Sequence, residues 1–139
     1  MTDRQRHILV TLAWVAMAVY FGLVAYVCFG HFDDLPDMDH TFLGIPEDKI
    51  IHFIMFFPFP ILVLLTRRYR PATRGRAFAI ALLTFVAGLL IASATEWGQG
   101  LTAYRDPDAY DLLADALAIL FSTLIVLAMT LRGIRRSAR

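Results

Sequence analysis

Residues 77–99, AFAIALLTFVAGLLIASATEWGQ, decide the fold class. No charged residue occurs in 77–95, and a run of about 20 apolar residues is long enough for an α-helix to cross a bilayer core. The run stops at Glu96, and Gln99 follows three residues later. The stretch therefore predicts a transmembrane helix over about 77–97 that ends in a polar turn.

Three more apolar segments predict spans over about residues 8–29, 50–66 and 111–131. The mean hydropathy is +0.61, and 18% of the residues are charged, against roughly 25% in soluble domains. We therefore expect residues 1–139 to form one domain, an all-α membrane protein built as a bundle of four transmembrane helices. No soluble basic domain is present, so nucleic acid is not an expected partner.

Smaller features refine this prediction. Pro58 and Pro60 lie inside the second span and should kink or break it, because each removes a helix hydrogen bond. Cys28 is the single cysteine, which excludes an intrachain disulfide and is expected to be buried. Small residues predict a closely packed face on the third span: Gly88, Ala92, Ser93 and Ala94.

Positive charge is segregated along the chain. Of the 13 Lys and Arg residues, two precede the first span, five lie between the second and third, and four follow the fourth. Lys49 and Arg105 are the two exceptions. Because cytoplasmic loops carry the excess of Lys and Arg, both termini and the middle loop are predicted to be cytoplasmic.

With this topology, the polar ends of the second, third and fourth spans all lie on the outer side. Asp48 and His52 are four residues apart and share a helix face, as do Asp111 and Asp115. Ionisable residues in transmembrane segments are costly and usually face partners in the bundle interior. We therefore expect the three ends to meet in one polar site of the outer leaflet. Its predicted members are Asp48, Lys49, His52, Glu96, Gln99, Arg105, Asp111 and Asp115.

The same residues could instead form a buried polar network that only fixes helix register. Glu47, Asp106 and Asp108 are interpreted as solvated loop charges beside this site. The nearby aromatic residues are interpreted as members of the interfacial belt: Trp97, Tyr104 and Tyr110.

At the predicted site the chain resembles the VanZ-like family of small bacterial membrane proteins. That family shows Asp-Lys-x-x-His opening one helix, Glu-x-x-Gln ending the next, and then Arg, five residues, Asp, three residues, and Asn or Asp. The matching residues here are Asp48, Lys49 and His52, then Glu96 and Gln99, then Arg105, Asp111 and Asp115. The resemblance covers roughly residues 48–120. It departs at Asp115, where the family usually has Asn, and at Ala118, in a region where the family often has glycine.

The resemblance implies a multi-pass protein of the bacterial cytoplasmic (inner) membrane, with the site on the extracytoplasmic side. The namesake member is associated with low-level resistance to the glycopeptide antibiotic teicoplanin. The first functional hypothesis is therefore a non-enzymatic cell-envelope protein that binds a lipid headgroup, an envelope precursor or a partner protein. Arg105 and Lys49 suit an anionic headgroup, and the acids could accept hydrogen bonds from sugars or amines. No cofactor is expected.

The alternative hypothesis is a small intramembrane enzyme that acts on a lipid headgroup. His52 would be the general base, oriented by Asp48, and Glu96 or Asp115 would be the acid. One histidine among carboxylates is a weak metal signature, so no metal is predicted. A transport role ranks last, unless the chain forms a homo-oligomer or joins a larger membrane complex.

Overall fold

A computed structural model confirms the all-α architecture. It describes residues 2–30, 41–42, 44–67, 71–102 and 108–137. The five helices are α1 (Asp3–Phe29), α2 (Glu47–Phe56), α3 (Phe59–Leu65), α4 (Arg74–Gln99) and α5 (Ala109–Ser137). Because α2 and α3 together form one span, the described chain has four helical segments long and apolar enough to cross a membrane. The protein is therefore a multi-pass membrane protein built as a four-helix bundle.

The predicted break in the second span is confirmed. Helix α2 ends at Phe56, and α3 begins at Phe59 after a two-residue turn. Pro58 and Pro60 have no backbone N–H, so Ile54 and Phe56 lose the donor that a continuous helix would supply to their carbonyls. The break is a direct consequence of these two prolines.

A short antiparallel hairpin precedes α2 and was not predicted. Strand β1 (Thr41–Phe42) pairs with β2 (Ile45–Pro46). Gly44 lies in the connection with a φ of 80°, a conformation that glycine adopts without steric cost. The hairpin leads directly into α2 and so sets where the second span begins.

Helix α5 is the centre of the bundle and packs against α2, α3 and α4, whereas α1 packs against α3 and α4. The buried core is apolar and mostly small: Val24, Cys28, Phe56, Ala92, Ala118 and Ile119. Cys28 is buried, as predicted. Gly88 permits the close α4–α5 approach, because a Cβ there would lie 2.8 Å from Cγ2 of Ile119.

The small-residue face of α4 is narrower than predicted. Gly88 and Ala92 are buried, but Ser93 and Ala94 are exposed. Gly88 and Ala92 are four residues apart and share the helix face toward α5. Ser93 and Ala94, the next residues along the helix, lie on a different face. Large apolar side chains cover much of the outer surface of the same helix, including Leu83 and Leu90, as expected for helices in a lipid bilayer.

Successive spans run in opposite directions, and contacts between their ends show this. The start of α2 meets the start of α5, while the end of α4 contacts the end of α1. One end of the bundle therefore gathers four helix ends. The start of α1 at Asp3 and the end of α5 at Ser137 lie at the other.

Candidate functional site

Polar side chains from three helix ends come together at one end of the bundle. We call the group the carboxylate cluster; its members are Asp48, Lys49, His52, Glu96, Asp108, Asp111 and Asp115. Helix α2 supplies Lys49 and His52, the cations or potential cations. The end of α4 and the beginning of α5 supply most of the carboxylates.

Lys49 is surrounded by three carboxylates. Its Nζ lies 2.7 Å from Oδ2 of Asp48 and 2.6 Å from Oδ1 of Asp111, and it donates a short hydrogen bond to Oδ2 of Asp108. The side chain of Lys49 is only 16% exposed. Its single positive charge is therefore already compensated by neighbours within the chain.

The interpretation of Asp108 as a solvated loop charge is incomplete, because its side chain is 38% exposed but is also part of the cluster. Its carboxylate pairs with Lys49 and also accepts the backbone N–H of Tyr110, at 2.8 Å from Oδ1. The Lys49 ammonium lowers the pKa of Asp108, and the Tyr110 N–H acts in the same direction. The sequence signal was present, because a carboxylate just before a helix can bond the first backbone N–H groups.

His52 lies between two carboxylates of α5. Its Nδ1 is 3.1 Å from Oδ1 of Asp115, and its Nε2 is 3.7 Å from Oδ2 of Asp111. The side chains of His52 and Asp115 are 3% and 0% exposed. The predicted orientation of His52 by Asp48 is wrong. The carboxylate of Asp48 instead accepts hydrogen bonds from the backbone N–H and the ammonium group of Lys49. Asp115 orients the imidazole instead.

The hydrogen bond to Asp115 defines the chemistry of the imidazole. If Asp115 is ionised, its carboxylate only accepts, which places the proton of a neutral imidazole on Nδ1 and the lone pair on Nε2. Nε2 can then act as a base or as a metal ligand on the side of Asp111. Asp115 is thus a direct partner of His52.

Glu96 reaches the cluster from the end of α4. Its Oε2 accepts the backbone N–H of Asp108 at 3.2 Å, which holds the start of α5 against α4. Its Oε1 is buried and has no hydrogen-bond partner among the residues that the structure describes. Oδ2 of Asp115 is likewise buried and without a hydrogen-bond partner among these residues. The cluster therefore contains acceptor oxygens that lack donors within the described chain.

Gln99 lies at the same end of the bundle, but its side chain bonds α1 and not the carboxylate cluster. Its Nε2 donates to the backbone carbonyl of Cys28 at 3.2 Å and so joins α4 to α1. Arg105 lies outside the described residues, as do Tyr104 and Asp106. Trp97 and Tyr110 are exposed, as expected for interfacial aromatic residues.

Two groups in the cluster have the spacing of cation ligands. One is His52, Glu96 and Asp111, and the other is Asp48, Asp108 and Asp111. In each, one ligand atom per residue lies within 4.8 Å of the others. Asp111 belongs to both groups because its two oxygens face opposite sides.

An apolar groove of about 630 Å³ runs beside the cluster between α2 and α5. Its walls are Ile45, Pro46, Lys49, Ile50, Phe53, Tyr110, Leu113, Ala114 and Leu117. Lys49 belongs to both the groove and the cluster, so the two are continuous. Sequence reasoning missed the groove, because apolar positions of two helices do not reveal whether they pack tightly or leave a gap.

Comparison with protein-family models, with curated proteins and with solved structures finds no match to this chain.

Proposed function

We propose that this chain is a VanZ-like protein of the bacterial cytoplasmic membrane that binds a lipid-linked saccharide of the cell envelope at its extracytoplasmic side. The motif residues Asp48, Lys49 and His52, together with Asp111 and Asp115, support this assignment because they contact one another in the fold. The segregation of Lys and Arg supports the orientation. An altered response to teicoplanin belongs to the same proposal.

One observation carries the proposed ligand class: the apolar groove is continuous with the carboxylate cluster at Lys49. A groove of about 630 Å³ lies in the range of ligand sites in proteins, roughly 300–1,000 Å³. Its apolar walls fit a hydrocarbon chain, and the cluster fits the polar group at the end of that chain. A lipid satisfies both surfaces at once.

The charges of the cluster indicate the chemistry of the headgroup. Lys49 is neutralised by three carboxylates, so it offers little to a bare phosphate. Oε1 of Glu96 is an acceptor without a partner in the described chain. Hydroxyl and amine donors complement such oxygens, because a buried acceptor without a donor is costly. We therefore favour a saccharide headgroup over the simple anionic headgroup expected from the sequence.

Binding of fluorescent lipids to the purified chain in nanodiscs tests this function. We expect binding of a lipid-linked peptidoglycan precursor or of a glycosyl diacylglycerol, and these two arms distinguish the source of the saccharide. Phosphatidylglycerol and diacylglycerol are the ligands without sugar. Equal binding of all four lipids would reject the proposed headgroup chemistry.

A matched pair of substitutions tests the groove. Leu113 lines the groove and Leu124 does not, although both lie on α5 and are about equally exposed, at 51% and 52%. Leu113→Trp should fill the groove and weaken lipid binding about tenfold, equivalent to roughly 1.4 kcal/mol. Leu124→Trp should leave binding unchanged, and equal effects of the two would place the lipid elsewhere.

A second candidate function is turnover of the bound headgroup, with His52 as general base. The contact between Asp115 and Nδ1 of His52 favours it, since a carboxylate at one ring nitrogen raises the basicity of the other. Mass spectrometry of the lipid after incubation with wild type and His52→Gln would detect it. Headgroup cleavage that persists in His52→Gln would remove His52 from that role.

A further inference from the structure

Three side chains in the cluster form a triangle of potential ligands: His52, Glu96 and Asp111. They come from three different helices, α2, α4 and α5, and their ligand atoms lie within 4.8 Å of one another. Nε2 of His52 is 3.7 Å from Oδ2 of Asp111, too far for a hydrogen bond. The triangle is therefore held in place by its surroundings and not by bonds between its own members.

Glu96 supplies the triangle with a buried acceptor oxygen that a cation would satisfy. The residue is 6% exposed, and its Oε1 has no donor among the described residues. Its other oxygen is held by the N–H of Asp108, so the carboxylate is fixed in orientation. A buried carboxylate oxygen without a partner is unfavourable, and a cation at this point would remove the penalty.

A second group of carboxylates beside the triangle is already occupied by a cation, the ammonium group of Lys49. Asp48, Asp108 and Asp111 have the same ligand spacing, and the Lys49 ammonium contacts all three. Asp111 turns Oδ1 to Lys49 and Oδ2 to His52. Among the described residues, no Lys or Arg side chain contacts Oδ2 of Asp111, the oxygen that faces the triangle.

His52 decides which cation fits the triangle. Its Nδ1 faces Asp115, which leaves the lone pair of Nε2 directed to the side of Asp111. A carboxylate that holds the far nitrogen of an imidazole is the usual support of a metal-ligating histidine. Na⁺ and K⁺ would gain little from an imidazole nitrogen, whereas first-row divalent metals bind it well.

We propose that His52, Glu96 and Asp111 bind one divalent metal ion of the Zn²⁺ or Mn²⁺ class, with Asp115 as the positioning residue of His52. Two ligand atoms about 2.1 Å from one ion and at a tetrahedral angle lie roughly 3.4 Å apart. The distance of 3.7 Å between His52 and Asp111 is close to that separation. Three protein ligands leave coordination positions for water or a ligand oxygen.

This inference does not depend on the proposed lipid function, because metal binding can be measured without any saccharide. It does revise the expectation from sequence that the chain holds no metal.

Metal content of the full chain, purified in detergent and dialysed against Zn²⁺ or Mn²⁺, tests the proposal. We expect about one ion per chain in the wild type, with affinity lost at least a hundredfold in His52→Ala. Asp115→Asn should weaken binding about tenfold to a hundredfold, the usual effect of removing a supporting carboxylate. The matched control for His52→Ala is His7→Ala, at an exposed histidine on α1; this control should bind like the wild type.

Pulsed EPR of the Mn²⁺-loaded wild type keeps the test independent of whether a variant folds. Isotopically labelled histidine should show coupling of one imidazole nitrogen to the ion, and the coupling should persist in His7→Ala. Binding without imidazole coupling, binding retained in His52→Ala, or no binding by the folded wild type would each overturn the proposal.

Discussion

The two ends of the bundle satisfy their polar groups in different ways. At the cluster end, bonds cross between helices: Lys49 of α2 contacts Asp111 of α5, and His52 contacts Asp115. At the opposite end, α3, α4 and α5 enclose a narrow cavity of about 20 Å³. Two threonines that line it bond within their own helices: Thr84 donates to the carbonyl of Ile80 and Thr130 to that of Val126, each at 2.8 Å. Oγ1 of Thr123 has no hydrogen-bond partner among the described residues.

This difference shows which forces hold each end together. Hydroxyl groups that bond within their own helix place no hydrogen-bonding requirement on the neighbouring helix. The contact between helices then depends on how closely the side chains fit, as where Gly88 of α4 packs against Ile119 of α5. Charged groups that bond across helices make packing depend on charge balance. The cluster end should therefore be sensitive to the loss of one charge, and the apolar part of the bundle to a change in volume.

The largest expected effect is that of Lys49→Met. The substitution leaves Asp48, Asp108 and Asp111 without their shared cation. Because Asp48 and Asp108 are partly exposed, we expect a cost of about 3 kcal/mol, the low end of the range for breaking a buried pair on one side. The free energy of unfolding, measured by SDS titration in mixed micelles, should fall by this amount. Arg76→Met, at an exposed position of α4, is the control and should stay within about 0.5 kcal/mol of the wild type. Equal stability of the two variants would contradict a charge-dependent cluster end.

A smaller effect is expected where packing depends on shape. Gly88→Ala would place a Cβ 2.8 Å from Ile119 and 3.2 Å from Phe59, and overpacking of this kind costs about 1–3 kcal/mol. Gly22→Ala meets nothing within 4 Å and should increase stability by about 0.4–1 kcal/mol. The same unfolding measurement applies to both. A loss of stability in Gly22→Ala as large as in Gly88→Ala would show that close packing is not the cause.

The smallest effect concerns pH. Because Lys49 lowers the pKa of Asp108 below its ordinary value of 3.8, this ion pair stabilises the fold above that value and loses its contribution as the pH falls through the lowered pKa. The Asp108 side chain is 38% exposed, so the contribution should stay below about 1 kcal/mol. Thermal unfolding of wild type and Asp108→Asn should therefore differ at pH 7 and converge below about pH 4. A difference that does not change with pH would assign the effect to something other than this ion pair.

Sequence reasoning located the spans well because span length and proline chemistry are local properties. The apolar run that ends at Glu96 and the break near Pro58 follow from the residues themselves. The positions of the polar groups at helix ends were predictable for the same reason. Their gathering at one end followed once the spans alternated in direction.

Partners within the cluster were harder to predict. The four-residue spacing of Asp48 and His52 places them on one helix face, but Asp48 turns to its neighbour Lys49. His52 reaches Asp115, 63 residues further along the chain. Such a pairing depends on how α2 and α5 approach each other, which periodicity does not encode. The contact of Asp108 with Lys49 is of the same kind, because it joins residues 59 positions apart; only its bond to the N–H of Tyr110 could be predicted from its place just before α5.

The proline-broken second span is also the shortest of the four, at 19 residues against 26 to 29 in the others. At 1.5 Å per residue it extends only about 28 Å, slightly less than a typical hydrocarbon core of about 30 Å. A thicker bilayer therefore draws the start of α2 inward or thins around it, whereas a thinner bilayer exposes it. Lys49 and His52 lie in the first two turns of that helix. Bilayer thickness thus sets how deeply the cluster lies, and the acyl-chain length of the surrounding lipid becomes a physical control on access to it.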